Sequence, residues 1–159
     1  MGWDDLVKLV HVVVAIGFVA GLVGRWFLLR RAAAADEVEL AYQLSQAASP
    51  FEKLVIWGSS LVLPAGLLTA WAQGYPWLGL TTGWMLLSVV LLLSIFPLVP
   101  LVFLRRGRVF GSAMADARQA GAVTPELRAA FADPMVAFAH WYELTAVGIV
   151  VALMVLKPF

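Results

Sequence analysis

Apolar residues along this chain fall into long unbroken runs rather than into the alternation of a half-buried strand or the 3.6-residue stripe of a surface helix. Between Leu54 and Leu104 there is no Asp, Glu, Lys, Arg or His. One bilayer crossing takes ~20 residues, so this stretch predicts two crossings and the turn between them. The turn shows in Gly74, Pro76 and Gly79, inside Gln73 to Thr82, and divides a second span, about Phe51 to Trp71, from a third, about Gly83 to Leu104. A linker so short and uncharged makes these two an antiparallel hairpin. A first span runs from about Leu6 to Leu29, opened by Asp4 and Asp5, which suit a helix N-terminus, and closed by Arg30 and Arg31. Asp133 and Pro134, an N-cap and first-turn pair, open a fourth that continues to about Leu156. The predicted fold is all-α: one four-span antiparallel transmembrane bundle over residues 1–159, with both termini on one side.

The connections carry signals of their own. Ala33 to Ala48 and Ser112 to Ala120 are helix-prone, and Thr124-Pro125-Glu126 reads as the cap and first turn of another short helix. These are expected as helical extensions at the membrane surface. Pro64 in span two, and Pro97 with Pro100 in span three, each remove a backbone donor, which must be compensated by neighbours or a local kink. Basic residues set the orientation: Arg30, Arg31, Lys53, Arg105, Arg106, Arg108, Arg118 and Arg128 flank the first and third loops, against Lys8 and Lys157 at the other face. By the positive-inside rule those loops are cytoplasmic and both termini lie outside an inner membrane. The seven tryptophans are expected as interfacial belts, Trp3, Trp71, Trp77 and Trp84 outside and Trp26, Trp57 and Trp141 inside.

Composition narrows the chemistry. The chain is 62% hydrophobic and 13% charged, which excludes an ordinary soluble enzyme. A net charge of +1 argues against a nucleic-acid surface, and the absence of cysteine removes disulfides, thiolate metal sites and cysteine catalysis. The acidic start, with no small-residue cleavage pattern, does not read as a signal peptide. The halves share no sequence repeat, so the usual pointer to an inverted-repeat transporter is missing.

Small and polar residues inside the spans are the informative ones. Gly17, Gly21 and Gly24 form one stripe on span one and allow close helix approach, either inside the bundle or across a homodimer or larger complex. Arg25 lies two heptads beyond His11 on the same helix face, near the basic end. His140 and Glu143 share a face of span four, and Glu52 starts span two at the same level. Arg25, Glu52, His140 and Glu143 are therefore expected to form a polar cluster, acting either as an ion-paired helix fastener or as a proton-accepting or anion-binding site. Depth along the spans singles out Arg25 and Glu143 as partners, because a carboxylate so far from water needs a counter-charge. His11 reads either as a histidine hydrogen-bonded to backbone or lipid, or as a haem or metal ligand. Its height differs from that of His140 by roughly 13 Å in a bilayer of ordinary thickness, so Met85 and Met154 match it better as axial partners. A His/Met pair suits haem b, and imidazole with thioether suits copper(I).

Leu9-Val10-His11, Gly21-Leu22-Val23-Gly24-Arg25, Phe51-Glu52-Lys53 with Gly58, Pro97-Leu98-Val99-Pro100 running to Arg105 and Arg106, Thr124-Pro125-Glu126-Leu127, and Leu153 to Pro158 together resemble the domain-of-unknown-function 2269 family. The resemblance covers nearly the whole chain and implies a four-helix inner-membrane protein. Span one alone, with Lys8-Leu9-Val10-His11, then Ala20-Gly21 and an arginine, is also similar to four-helix protoporphyrinogen oxidases and copper-resistance D proteins. That second likeness implies His11 as a haem ligand. The function expected from the sequence is a haem-binding, redox-linked membrane protein with His11 as axial ligand, acting on a porphyrin or quinone. The alternatives are a non-enzymatic accessory or scaffold subunit, and a small transporter or copper handler.

Overall fold

The structure, a computed structural model, describes residues 2–158. Among these residues there are helices and no strands: α1 (Trp3–Ala33), α2 (Val38–Ala47), α3 (Ser49–Ala72), α4 (Gly83–Ile95), α5 (Leu104–Ala120), α6 (Pro125–Phe131) and α7 (Pro134–Leu156). Four continuous helical stretches are long and apolar enough to cross a membrane: Trp3–Ala33, Val38–Ala72, Gly83–Ala120 and Pro125–Leu156. This is a membrane protein with four apolar helical spans. The end holding both termini is called here the terminal end, and the opposite one the basic end.

Local chemistry sets the helix limits. Asp133 Oδ1 accepts from the Met135 and Val136 amides at 2.9 and 3.3 Å, capping α7. Thr124 Oγ1 accepts from the Leu127 amide at 3.2 Å and caps α6 in the same way. Gly121, at φ 68°, ends α5 in the left-handed conformation that glycine takes without Cβ strain. Span three is interrupted where the prolines fall: α4 stops at Ile95, and Val99–Phe103 forms a π-helical turn before α5 resumes. Pro97 and Pro100 withhold two amide donors there, and the wider i→i+5 turn reroutes the ladder.

The spans associate as two antiparallel pairs, α1 with α3 and α4 with α7. Large residues of one helix fill glycine notches of the other along the α1–α3 seam. A Cβ on Gly58 would lie 2.7 Å from Phe18 Cβ, one on Gly21 would lie 2.9 Å from the Phe51 carbonyl oxygen, and one on Gly24 would run into the Phe51 ring. Gly21 and Gly24 are thus used inside the protomer, which removes them from close packing against a second copy. Gly17 has open space where its Cβ would be.

The pairs meet in a core that draws on all four spans, with Phe18 and Leu22, Val55 and Val62, Leu92 and Ile95, and Ala146, Val147 and Val150. A second apolar cluster lies at the basic end of these stretches: Val38 and Ala41 of α2 pack on Ala113, Met114 and Ala117 of α5 and on Leu127 of α6. The surface extensions therefore form a packed cap on the basic end rather than separate helices lying on the membrane. At the terminal end, Ala70, Trp84, Met85 and Leu153 form a third cluster. Trp84 is only 6% exposed there, so it leaves the expected aromatic belt, whereas Trp3, Trp57, Trp71, Trp77 and Trp141 are exposed as belt residues should be.

Candidate functional site

The polar residues of the spans separate into two places. At the basic end, α1 carries Arg25 and α7 carries Glu143, and Arg25 Nη2 donates to Glu143 Oε2 at 2.6 Å. Their side chains are 9% and 1% exposed, so the ion pair is held away from solvent and ties the first helix pair to the second. A bond this short between opposite charges in such a setting is strong, and removing Glu143 would leave a guanidinium charge that Arg25 cannot shed.

The guanidinium is shared among several neighbours. Its carbon stands 4.9 Å from the centroid of the Phe103 ring, and the imidazole of His140 stacks on the same phenylalanine at 5.1 Å. Arg25 Nε is buried and has no hydrogen-bond partner. That is an open donor on a group whose positive charge is permanent. Tyr142 and Ser94, with hydroxyl oxygens 2.6 Å apart, join α7 to α4 nearby.

Arg25, Phe103 and His140 form one wall of a cleft of about 670 Å3 at the basic end, between the first two spans and the last two, and Glu143 lies behind Arg25. Arg30, Arg106 and Glu52 line it alongside Arg25 and His140. Its apolar lining is aromatic: Trp26 meets Trp141 edge to face at 5.9 Å, and Phe110 meets Phe131 in the same manner at 4.9 Å. Arg106 also bonds Asp133, the α7 cap, at 3.0 Å, and the Arg30 guanidinium lies over the Trp26 ring. Of the cluster read from the sequence, Arg25, His140 and Glu143 are brought together, while Glu52 stands exposed on the cleft wall and outside the ion pair. Phe103, Phe110 and Phe131 are not singled out by the sequence, and Arg106, Trp26 and Trp141 are read there only as flanking charge and interfacial aromatics. The only signal for the three phenylalanines is position, just past Pro100 in span three and in the segment beyond.

The second place is the α1–α3 seam near the terminal end. His11 sits over Gly66, where a Cβ would lie 3.1 Å from the imidazole Cε1, and its Nδ1 is buried without a hydrogen-bond partner. Thr69 Oγ1, on the same stretch of α3, donates to the Ala65 carbonyl at 2.8 Å and reaches the Val7 carbonyl at 3.4 Å. Met85 and Met154, the expected axial partners, belong to the cluster that α4 and α7 build at the terminal end. The Met85 sulfur packs onto Gly79, which at φ 78° is held by its lack of a side chain. The imidazole edge toward α3 is packed against Gly66, so a porphyrin on that edge would require α1 and α3 to separate. Among the described residues no three His, Asp or Glu side chains converge as metal ligands.

A family model described as "Predicted integral membrane protein (DUF2269)" matches residues 5–158. The chain belongs to this family. No curated protein and no solved structure matches it. Membership thus states the membrane character of nearly the whole chain and leaves function to the site.

Proposed function

We propose that this protein is an inner-membrane binding protein whose basic-end cleft takes an anionic amphiphile: a phosphate or carboxylate group carried on an apolar body. The observation that supports this reading is the buried, unpartnered Nε of Arg25 on the wall of the cleft. An oxyanion oxygen would accept from it, Arg30 and Arg106 would add positive potential at the rim, and the paired aromatic rings would cover the apolar body. Free phosphate and a lipid headgroup share this chemistry, and the size and aromatic lining of the cleft favour the lipid.

The test uses protein purified in dodecyl maltoside and three probes: dihexanoylphosphatidylglycerol, dihexanoylphosphatidylcholine and inorganic phosphate. At a hundredfold excess over Kd a ligand stabilises its protein by about 2.7 kcal/mol, which a thermal scan resolves. Phosphatidylglycerol is expected to raise Tm and phosphatidylcholine to leave it unchanged. The response should vanish in the Arg25→Met/Glu143→Gln double variant, which loses the binding group while keeping the spans neutral. A response to inorganic phosphate alone would make the ligand a free anion, and equal responses to all three probes would remove the reading. A Soret band in protein from haem-replete cells, lost in His11→Ala and kept in His140→Ala, would return the function to His11. A scaffold would show neither behaviour.

Orientation belongs to the same proposal, with the basic end and its cleft facing the cytoplasm. The chain has no cysteine, so single cysteines at the exposed Ser112 and Trp77 report without background. In intact cells Trp77→Cys should react with an impermeant maleimide, whereas Ser112→Cys should react only after permeabilisation. The opposite pattern would place the cleft in the outer leaflet.

A further inference from the structure

The ion pair at the back of the cleft has a consequence for what else moves when an anion enters. Arg25 is a single fixed positive charge, and Glu143, 1% exposed, has it as sole hydrogen-bond and ion-pair partner among the described residues. With Glu143 ionised, the cluster is neutral before a ligand arrives. A monoanion at Arg25 Nε would leave one guanidinium facing two anions, in a place where water cannot screen the excess.

Every other charged or titratable group around Glu143 is accounted for. On its own helix, His140 is one turn away and stacked on Phe103, beside Arg25, whose charge opposes a second cation there. The Tyr142 hydroxyl is engaged with Ser94 of α4, and the π-helical turn of span three contributes only the neutral Phe103 ring. From α5, Arg106 is tied to Asp133 and half exposed, and from α3 the cleft receives Glu52, which adds negative charge. Arg30 of α1 is exposed at the rim, over the Trp26 ring, so among the described residues no second buried cation stands ready to balance the ligand.

We propose that binding of an anion in this cleft is coupled to uptake of one proton by Glu143, which makes the site a proton-coupled anion binder. The inference rests on the cleft reading above. The proton comes from solvent at the basic end, an O–H bond forms on one carboxylate oxygen, and Arg25 passes from sharing its charge with Glu143 to sharing it with the ligand. The cluster then begins and ends neutral. Linkage fixes the sign, since a complex that holds one more proton than its separated parts is favoured as pH falls. Affinity should rise by up to about tenfold for each unit of pH lost, over the range where Glu143 is ionised in the free protein and protonated in the complex.

The experiment is titration calorimetry of the whole protein in dodecyl maltoside with dihexanoylphosphatidylglycerol, whose phosphodiester keeps one constant charge. Measurements in two non-phosphate buffers of different ionisation enthalpy, between about pH 5 and pH 8, count protons directly. The expected wild-type result is close to one proton taken up per ligand, retained in His140→Gln, with none taken up in Glu143→Gln. Binding with no proton uptake in the wild type overturns the coupling and leaves the cleft reading intact. Uptake that persists in Glu143→Gln, or is lost in His140→Gln, also overturns it, because the proton would then reside elsewhere. No binding by the wild type at any pH removes the cleft reading itself. Where Glu143→Gln does not fold, Glu52→Gln decides the matter: uptake retained there and in His140→Gln leaves Glu143 as the acceptor, and uptake lost in Glu52→Gln overturns the assignment.

Discussion

Glu143→Gln is expected to lower the stability of the detergent-solubilised protein by about 3–5 kcal/mol, the usual cost of breaking a buried ion pair from one side. Arg25→Met should cost less, about 1–3 kcal/mol, because the two stranded partners behave differently. A carboxylate left alone can neutralise itself by taking a proton, whereas a guanidinium cannot shed one at any accessible pH. The double variant removes both charges and should cost less than Glu143→Gln alone. At roughly 2–4 °C per kcal/mol for a chain of this length, the worse single variant should unfold about 10 °C below the wild type. Thermal scans of the four proteins test the pair. Losses that simply add would mean that Arg25 and Glu143 are not coupled, despite 2.6 Å between their atoms.

The same ion pair shows what depth along a span can and cannot reveal. Arg25 and Glu143 could be matched from sequence because each lies at a calculable distance from a charged helix end, and two opposite charges at one level inside a membrane have few other options. Glu52 sits at a similar level but on the exposed wall of the cleft, since depth fixes height and leaves the direction around the helix open. In a soluble bundle the apolar stripe would supply that direction. Here residues facing lipid and residues facing the core are equally apolar, so Leu9 and Leu22 look alike in sequence, although one is exposed and the other buried.

Direction is carried instead by small residues, and only in part. The glycines of α1 announce close packing without naming the neighbour, and the matching notches of α3, Gly58 and Gly66, draw attention only once Phe18 and His11 are seen seated in them. The place of Phe103 in the cleft was illegible for a related reason. Phe103 enters it from a π-helical turn, whose extra residue shifts every later side chain of span three around the axis by about 100° relative to an unbroken α-helix. The cap of α2, α5 and α6 was legible as helix but not as packing, because half of its buried residues are alanines: Ala41, Ala113 and Ala117.

The seam makes the second large prediction, and it separates glycines that look equivalent in sequence. In Gly58→Ala the new methyl would lie 2.9 Å from the Phe18 Cα, and in Gly21→Ala it would lie 2.9 Å from the Phe51 carbonyl oxygen and 3.0 Å from the Val55 amide. Those are backbone atoms, so the helices themselves must move apart. Overpacking of this kind costs typically about 1–3 kcal/mol, and here separation of α1 from α3 would also loosen the core beneath Phe18. Gly66→Ala meets only the His11 ring, which can turn, and should cost less. Gly17→Ala and Gly148→Ala meet nothing within 4 Å and should be neutral or gain up to about 1 kcal/mol from better helix propensity. Thermal scans of the five single variants would give the order. If Gly17→Ala destabilised as much as Gly21→Ala, the whole stripe, and not its packed part alone, would be pressed against something, and a second copy across Gly17 would become the first candidate. If Gly58→Ala and Gly21→Ala were both silent, α1 and α3 would not be in the close register that seats Phe18 over Gly58. Arg25 would then lose the support that holds it against Glu143, since the same seam sets the position of both α1 and the cleft wall.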